Sequence, residues 1–325
     1  MKKVIALIIT LVLACALIAG CSSGGAVEEV VDTPAPAPVE EQEVQEEEGI
    51  IITDMAGREV KLSAPATRIV ALTAADVETI FAIGAGDLLV GRGEYCNYPE
   101  EALEVESVQS GYETNVEQII ALEPQILIMS IMDQDESQVK QFEDAGIPVF
   151  ITDPQDIEGT YVSINLLGKL MGKETEAEAV VSEMKDILAN LHEKAMAVEG
   201  EQPTIYFEVS PLEYGLWTAG ADTFMNEVAV LLNMKNIFAD VSGWAEISEE
   251  QVLERNPDYI LTVGMYFGDG PTPIESILSR TGWGSVTAIK NEAILNLTAD
   301  ELSRPGPRLA LGAELLYEFV YGGGE

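Results

Sequence analysis

Apolar and polar positions fall into three regimes along the chain. Val4 to Ala19 is an apolar run broken only by Thr10 and preceded by Lys2 and Lys3. Residues 22–49 alternate Pro34, Pro36 and Pro38 with alanine and carry nine acidic residues between Glu28 and Glu48, with no basic one. From Gly49 onward, short apolar runs of strand length alternate with segments of helical periodicity, the signature of an α/β body. The first half predicts a hairpin over Ile51–Leu62 turning at Asp54–Gly57. Buried strands follow at Arg68–Leu72, Leu88–Gly91 and Val149–Thr152, with a helix over Ala74–Ile83. The second half predicts strands at Thr204–Val209 and Ala293–Leu297 and a terminal helix over Arg308–Val320. Between them lie two helical segments, Ile157–Met171 and Glu174–Val198. Val180, Val181, Met184, Ile187, Leu188 and Leu191 form one apolar stripe on the second.

A weak internal repeat divides the body. Residues 115–128 (NVEQIIALEPQILI) and 248–261 (SEEQVLERNPDYIL) align at an offset of 133. Glu117, Gln118 and Pro124 match Glu250, Gln251 and Pro257. In each copy Asn115 or Ser248 is a good N-cap, and Gln118 or Gln251 three residues later completes a capping-box pattern. A short helix follows, proline ends it, and an apolar run (Ile126–Met129 or Tyr259–Val263) reads as a buried parallel strand. About 275 residues beyond Gly49 also exceed what one core usually supports. The expected fold is α/β, with two Rossmann-like lobes joined by a single long interlobe helix. The expected boundaries are a signal peptide over 1–20, an anchor and extended tether over 21–49, an N-terminal lobe over 50–155, an interlobe helical segment over 156–198 and a C-terminal lobe over 199–325. One stiff helical connection predicts only modest lobe closure.

The ends and the charge set the location. The run to Ala19 is short for a membrane span, which needs roughly 20 apolar residues. It has the flanks of a secretory signal and ends in Leu17-Ile18-Ala19-Gly20-Cys21, which resembles the bacterial lipoprotein cleavage box. Cys21 is therefore the expected lipidation site, and the body is expected on the outer face of the cytoplasmic membrane. The acidic, proline-rich stretch cannot bury apolar surface and reads as a tether. Of three cysteines only Cys96 remains in the body, so no internal disulfide can form, and burial is its expected role. A formal charge of −39, from 56 acidic against 17 basic residues, disfavours nucleic acid as a partner.

No catalytic motif holds. Gly84-Ala85-Gly86 lacks the third glycine of a dinucleotide fingerprint and lies between a helix and a strand, the reverse of the required order. No G-x-S-x-G elbow, Walker loop or HExxH occurs, and the single histidine, His192, builds neither a triad nor a metal site. No enzyme activity, metal site or cofactor is expected. Aromatics make up only 6% of the chain, yet Tyr95, Tyr98, Tyr112, Tyr214, Trp217 and Trp244 sit in turn-rich stretches, as residues lining a ligand cleft would.

These residues carry a resemblance. The segments TDMAGREVKLSAPATRIVAL (53–72), CNYPEEA (96–102), both EQ…P units, WAEISEEQVL (244–253) and LTADELSRPGPR (297–308), in this order, are similar to the ABC-importer binding proteins for cobalamin, ferric siderophores and haem. The resemblance spans about Thr53 to Leu316 and is strongest to cobalamin binders. It implies a monomer that holds a small ligand between its lobes and delivers it to a permease. It also implies ligand contacts from Tyr98, Tyr112, Trp217, Trp244, Asp300 and Arg304, and permease docking through Glu117 and Glu250. A ferric siderophore or haem is the alternative guest. An exported enzyme on the same scaffold and a purely structural surface lipoprotein remain rivals from other classes.

Overall fold

The structure, a computed structural model, describes residues 49–111, 113–131, 136–264, 270–297 and 300–322. The expected signal, Cys21 and tether lie outside the described residues, as does Tyr112.

The N-terminal half begins with a hairpin, β1 (Ile50–Thr53) and β2 (Glu59–Leu62). Its turn forms because the Asp54 carboxylate accepts from the backbone N–H groups of Ala56 (3.1 Å) and Arg58 (2.8 Å). Then come β3 (Ile69–Ala71), α1 (Ala74–Ala82), β4 (Leu89–Gly93), β5 (Ser107–Val108), α2 (Val116–Ala121), β6 (Ile126–Ser130), α3 (Glu136–Asp144) and β7 (Val149–Thr152). The strands make one parallel sheet in the order β5-β4-β3-β6-β7. Each long strand is buried on both faces, which explains its unbroken apolar sequence. The hairpin covers the free edge: Met55 N–H donates to the Ile151 carbonyl (3.0 Å) and Arg58 Nη2 to that of Val149 (2.5 Å).

Two helices cross to the second half: α4 (Ile157–Met171), capped by Asp156, and α5 (Glu174–Met196). At 1.5 Å per residue, α5 is about 34 Å long. The C-terminal half contains β8 (Thr204–Glu208), β9 (Leu216–Ala219), α6 (Phe224–Leu231), β10 (Lys235–Asn236), β11 (Trp244–Ile247), α7 (Glu249–Arg255), β12 (Tyr259–Thr262), α8 (Pro273–Leu278), α9 (Thr287–Lys290), β13 (Ile294–Asn296) and α10 (Leu309–Tyr321). Its parallel sheet runs β10-β8-β12-β13. That order repeats β4-β3-β6-β7 of the first sheet, so the two copies of the sequence repeat occupy equivalent places, α2–β6 and α7–β12.

The repeat extends to the backbone. Glu123 and Asn256, each immediately before the proline, take left-handed φ values of 48° and 46°. The two caps differ, however. Ser248 and Gln251 form a reciprocal capping box, whereas Gln118 donates instead to the Ser107 carbonyl (2.9 Å) and so ties α2 to β5.

The apolar stripe on α5 joins the halves. Val181, Met184, Leu188 and Leu191 are buried in one continuous cluster that takes in Ile69, Ile128 and Phe150 from the first sheet and Ile205, Phe207 and Leu261 from the second. A shared core of this kind makes a stiff connection. The other faces have separate cores under α2 and α3 and under α7 to α9. In the second, Arg280 forks onto Glu208 (2.6 and 2.8 Å) and stacks on Trp283, sealing the sheet face.

Cys96 is buried, and desolvation pushes its thiol up to about 12, with Arg304 opposing. Native protein at pH 8 should leave Cys96 unalkylated by iodoacetamide, and denatured protein should label fully, as read by peptide mass mapping. Fast native labelling would show the site to be open.

Candidate functional site

In open α/β sheets a crevice forms beyond the carboxyl ends of the strands. Here all five strands of the first sheet deliver their ends to one cavity of about 330 Å³. Leu72 and Thr73 follow β3, Tyr95 follows β4, Ser110 and Gly111 follow β5, Ser130 ends β6, and Thr152 and Asp153 close β7. The C-terminal half supplies the opposite wall through Phe224, Trp244 and the Ser303–Pro305 loop. Close approach of the strand ends depends on Gly93, where a Cβ would collide with the Leu72 carbonyl oxygen.

The polar groups of the cavity are held in place. Asp76, in the first turn of α1, accepts from Thr152 Oγ1 (2.9 Å) and from the Thr73 hydroxyl. Arg304 reaches across to α1, where its Nη1 donates to Glu78 Oε1 (2.8 Å). The same guanidinium pairs with Asp300 and donates to Asn97 Oδ1 (3.2 Å). Arg308 forks onto Glu78, Nε to Oε2 (2.8 Å) and Nη2 to Oε1 (2.7 Å), with its guanidinium 3.9 Å from the Tyr98 ring centroid. The Glu78 side chain is 2% exposed, and those of Arg304 and Arg308 are 12% and 10% exposed. One buried carboxylate of the first half thus clasps two arginines of the second. Trp244 leans on the buried Phe224 ring (5.4 Å between centroids), and both residues line the cavity.

The expected site residues are distributed unevenly. Trp244 and Arg304 line this cavity together, and Asp300 sits behind Arg304 as its ion-pair partner. Tyr98 lines a neighbouring cavity of about 610 Å³ between α1, α5 and α10. Trp217 lies on a ribbon formed by β9 and β11, opposite Glu246, and is not among the residues lining the cavity. That ribbon is a difference from the turn-rich reading. Two four-residue strands punctuated by Gly215, Gly220 and Gly243 look like loop in sequence. Tyr112 is outside the described residues, although its neighbour Gly111 lines the cavity at φ +89°, a left-handed value suited to glycine. Asp76, Asp153, Thr152 and Phe224 were not foreseen. The Thr73-x-x-Asp76 pattern after a strand was the available signal for the first.

Glu117 and Glu250 are both exposed in the first turn of their helices, α2 and α7. Hydrogen bonds from its own backbone N–H and from Ser248 hold the Glu250 carboxyl below the usual range. His192 is remote from the cavity, its Nδ1 lying 2.8 Å from the Leu231 carbonyl oxygen. Among the described residues, no helix is long and apolar enough to cross a membrane.

The family model for periplasmic binding proteins matches residues 69–301. The chain belongs to this family. An uncharacterized ABC transporter substrate-binding lipoprotein of Bacillus subtilis (strain 168) is 32% identical over 99% of this chain and 98% of its own length. A vitamin B12-binding protein of Yersinia pestis (strain Pestoides F) is 27% identical over 77% of this chain and 85% of its own. The crystal structure of a possible iron-binding, periplasmic solute-binding protein from Staphylococcus epidermidis superposes with a TM-score of 0.66 at 29% identity, covering 79% of this chain and 99% of that one. The relatives are binding proteins, and the bilobal architecture of this periplasmic binding protein is theirs.

Proposed function

We propose that this periplasmic binding protein captures a cobalamin-type corrinoid between its lobes and hands it to an ABC import permease, without chemistry on the guest. The observation that carries the reading is the cavity at the strand ends, lined by Trp244 from the C-terminal half and Tyr95 from the N-terminal half. The apolar faces of a corrin ring suit aromatic lining residues, and its amide arms suit polar ones. The vitamin B12-binding relatives support the choice of guest. A corrinoid also brings its own metal ligands, so the protein need supply none. Haem is less well served, because His192 is the only histidine in the sequence and lies away from the cavity. A ferric siderophore is the second reading, favoured by the iron-binding relative.

Titration with cyanocobalamin should quench tryptophan emission saturably, and gel-filtered protein should retain the corrinoid absorbance. Saturation by a ferric chelate alone would transfer the function to the second reading. No saturable binding of either would defeat both.

Cys21 carries the lipid in this proposal, and residues 22–49 hold the body clear of the membrane. Cys21→Ser should shift the protein from the membrane fraction to the soluble exported fraction with ligand binding intact. Continued membrane retention would count against the anchor.

A further inference from the structure

Among the described residues Arg304 is the only basic one lining the cavity, and its charge is already spent. Glu78 and Asp300 both pair with it, and Asn97 and the Tyr95 carbonyl take further N–H groups. Against this neutralised cation stands a carboxylate of the lining itself, Asp153. Asp153 accepts from the Gln155 side-chain amide (2.6 Å), and no lysine or arginine among the described residues pairs with it.

The helix termini do not restore positive potential. The N-terminus of α1 points its dipole at the cavity, but Asp76 already occupies its first turn. The N-terminus of α6, beside Phe224, is met by the Thr223 hydroxyl and by Glu227 in its first turn. The whole chain carries −39, and a cleft with low-dielectric walls focuses a field of that sign.

We infer that the cleft selects guests bearing no net negative charge: a corrinoid, or a neutral or cationic ferric chelate of the hydroxamate type. It should reject tris-catecholates and the carboxylate edge of a dicarboxylate macrocycle. In this chain Arg304 is a lobe-to-lobe strut and not an anion receptor, which differs from the ligand contact that the resemblance implies. This selectivity rests on the capture reading of the preceding section.

The experiment compares cyanocobalamin, a singly positive ferric trihydroxamate and a triply negative ferric tris-catecholate on the lipid-free exported protein, each titrated at low and at high salt. The expected result is binding of cyanocobalamin or the trihydroxamate at least about tenfold tighter than the tris-catecholate. Added salt should strengthen the residual binding of the anion by screening the repulsion. Equal or tighter binding of the tris-catecholate, or salt weakening it, overturns the charge selectivity and leaves the capture function standing. If none of the three probes binds, the capture reading itself fails and takes the selectivity with it.

Discussion

Glu78→Gln should unfold about 3 kcal/mol more easily than the parent protein, at the low end of what breaking a buried ion pair costs. The substitution keeps the shape of the side chain and removes its charge, so the Arg304 and Arg308 guanidiniums lose the carboxylate they share. Both arginines are largely buried, and a buried cation left without its partner bears most of the penalty. Asp300 beside Arg304, and Glu301 at 3.7 Å from Arg308, hold the loss below the upper end of the range. For a chain of this size that loss lowers the melting temperature by roughly 6–12 °C. Arg308→Met in the Glu78→Gln background should recover part of the loss, because it removes one of the orphaned charges. Urea unfolding of the two variants measures both effects. A Glu78→Gln protein within 1 kcal/mol of the parent would mean that the clasp is solvated and holds nothing.

This clasp also marks the boundary of what the sequence reveals. Elements whose chemistry is local were legible in it. The Asp54–Gly57 turn, the apolar stripe of α5 and the helix–proline–strand units each follow from neighbouring residues, and each stands within a residue or two of its expected place. Glu78 was not legible. An acid in the middle of an amphipathic helix looks solvent-facing until a loop more than two hundred positions later delivers two arginines to it. The same holds for the cavity. The family resemblance puts Arg304 among the ligand contacts, but that its charge is spent on Glu78 and Asp300 is a tertiary fact. Trp217 and Trp244 looked alike in sequence, each within two residues of a glycine. Only strand pairing separates them, placing Trp217 opposite Glu246 and Trp244 at the cavity wall against Phe224.

Reversing both exposed glutamates, Glu117→Arg together with Glu250→Arg, should reduce ligand uptake by whole cells at least about tenfold while binding in solution stays within about twofold. The two residues hold equivalent places in the halves, since α2–β6 and α7–β12 sit at matching positions in their sheets. Each carboxylate projects from a helix start fixed by a side-chain cap, Asn115 to Gln118 N–H (3.0 Å) and Ser248 to Gln251 N–H (3.4 Å). A charge held in direction this way costs little ordering entropy when it meets a partner. Neither glutamate pairs with a lysine or arginine among the described residues, and neither lines the cavity, so reversal leaves the guest site untouched. Their separation across the two halves matches a receiver that grips both lobes at once, which predicts that either single reversal impairs uptake less than the double. Unchanged uptake in the double variant would move the docking surface elsewhere. Loss of cyanocobalamin binding along with uptake would show that α2 and α7 act on the guest instead of on the permease.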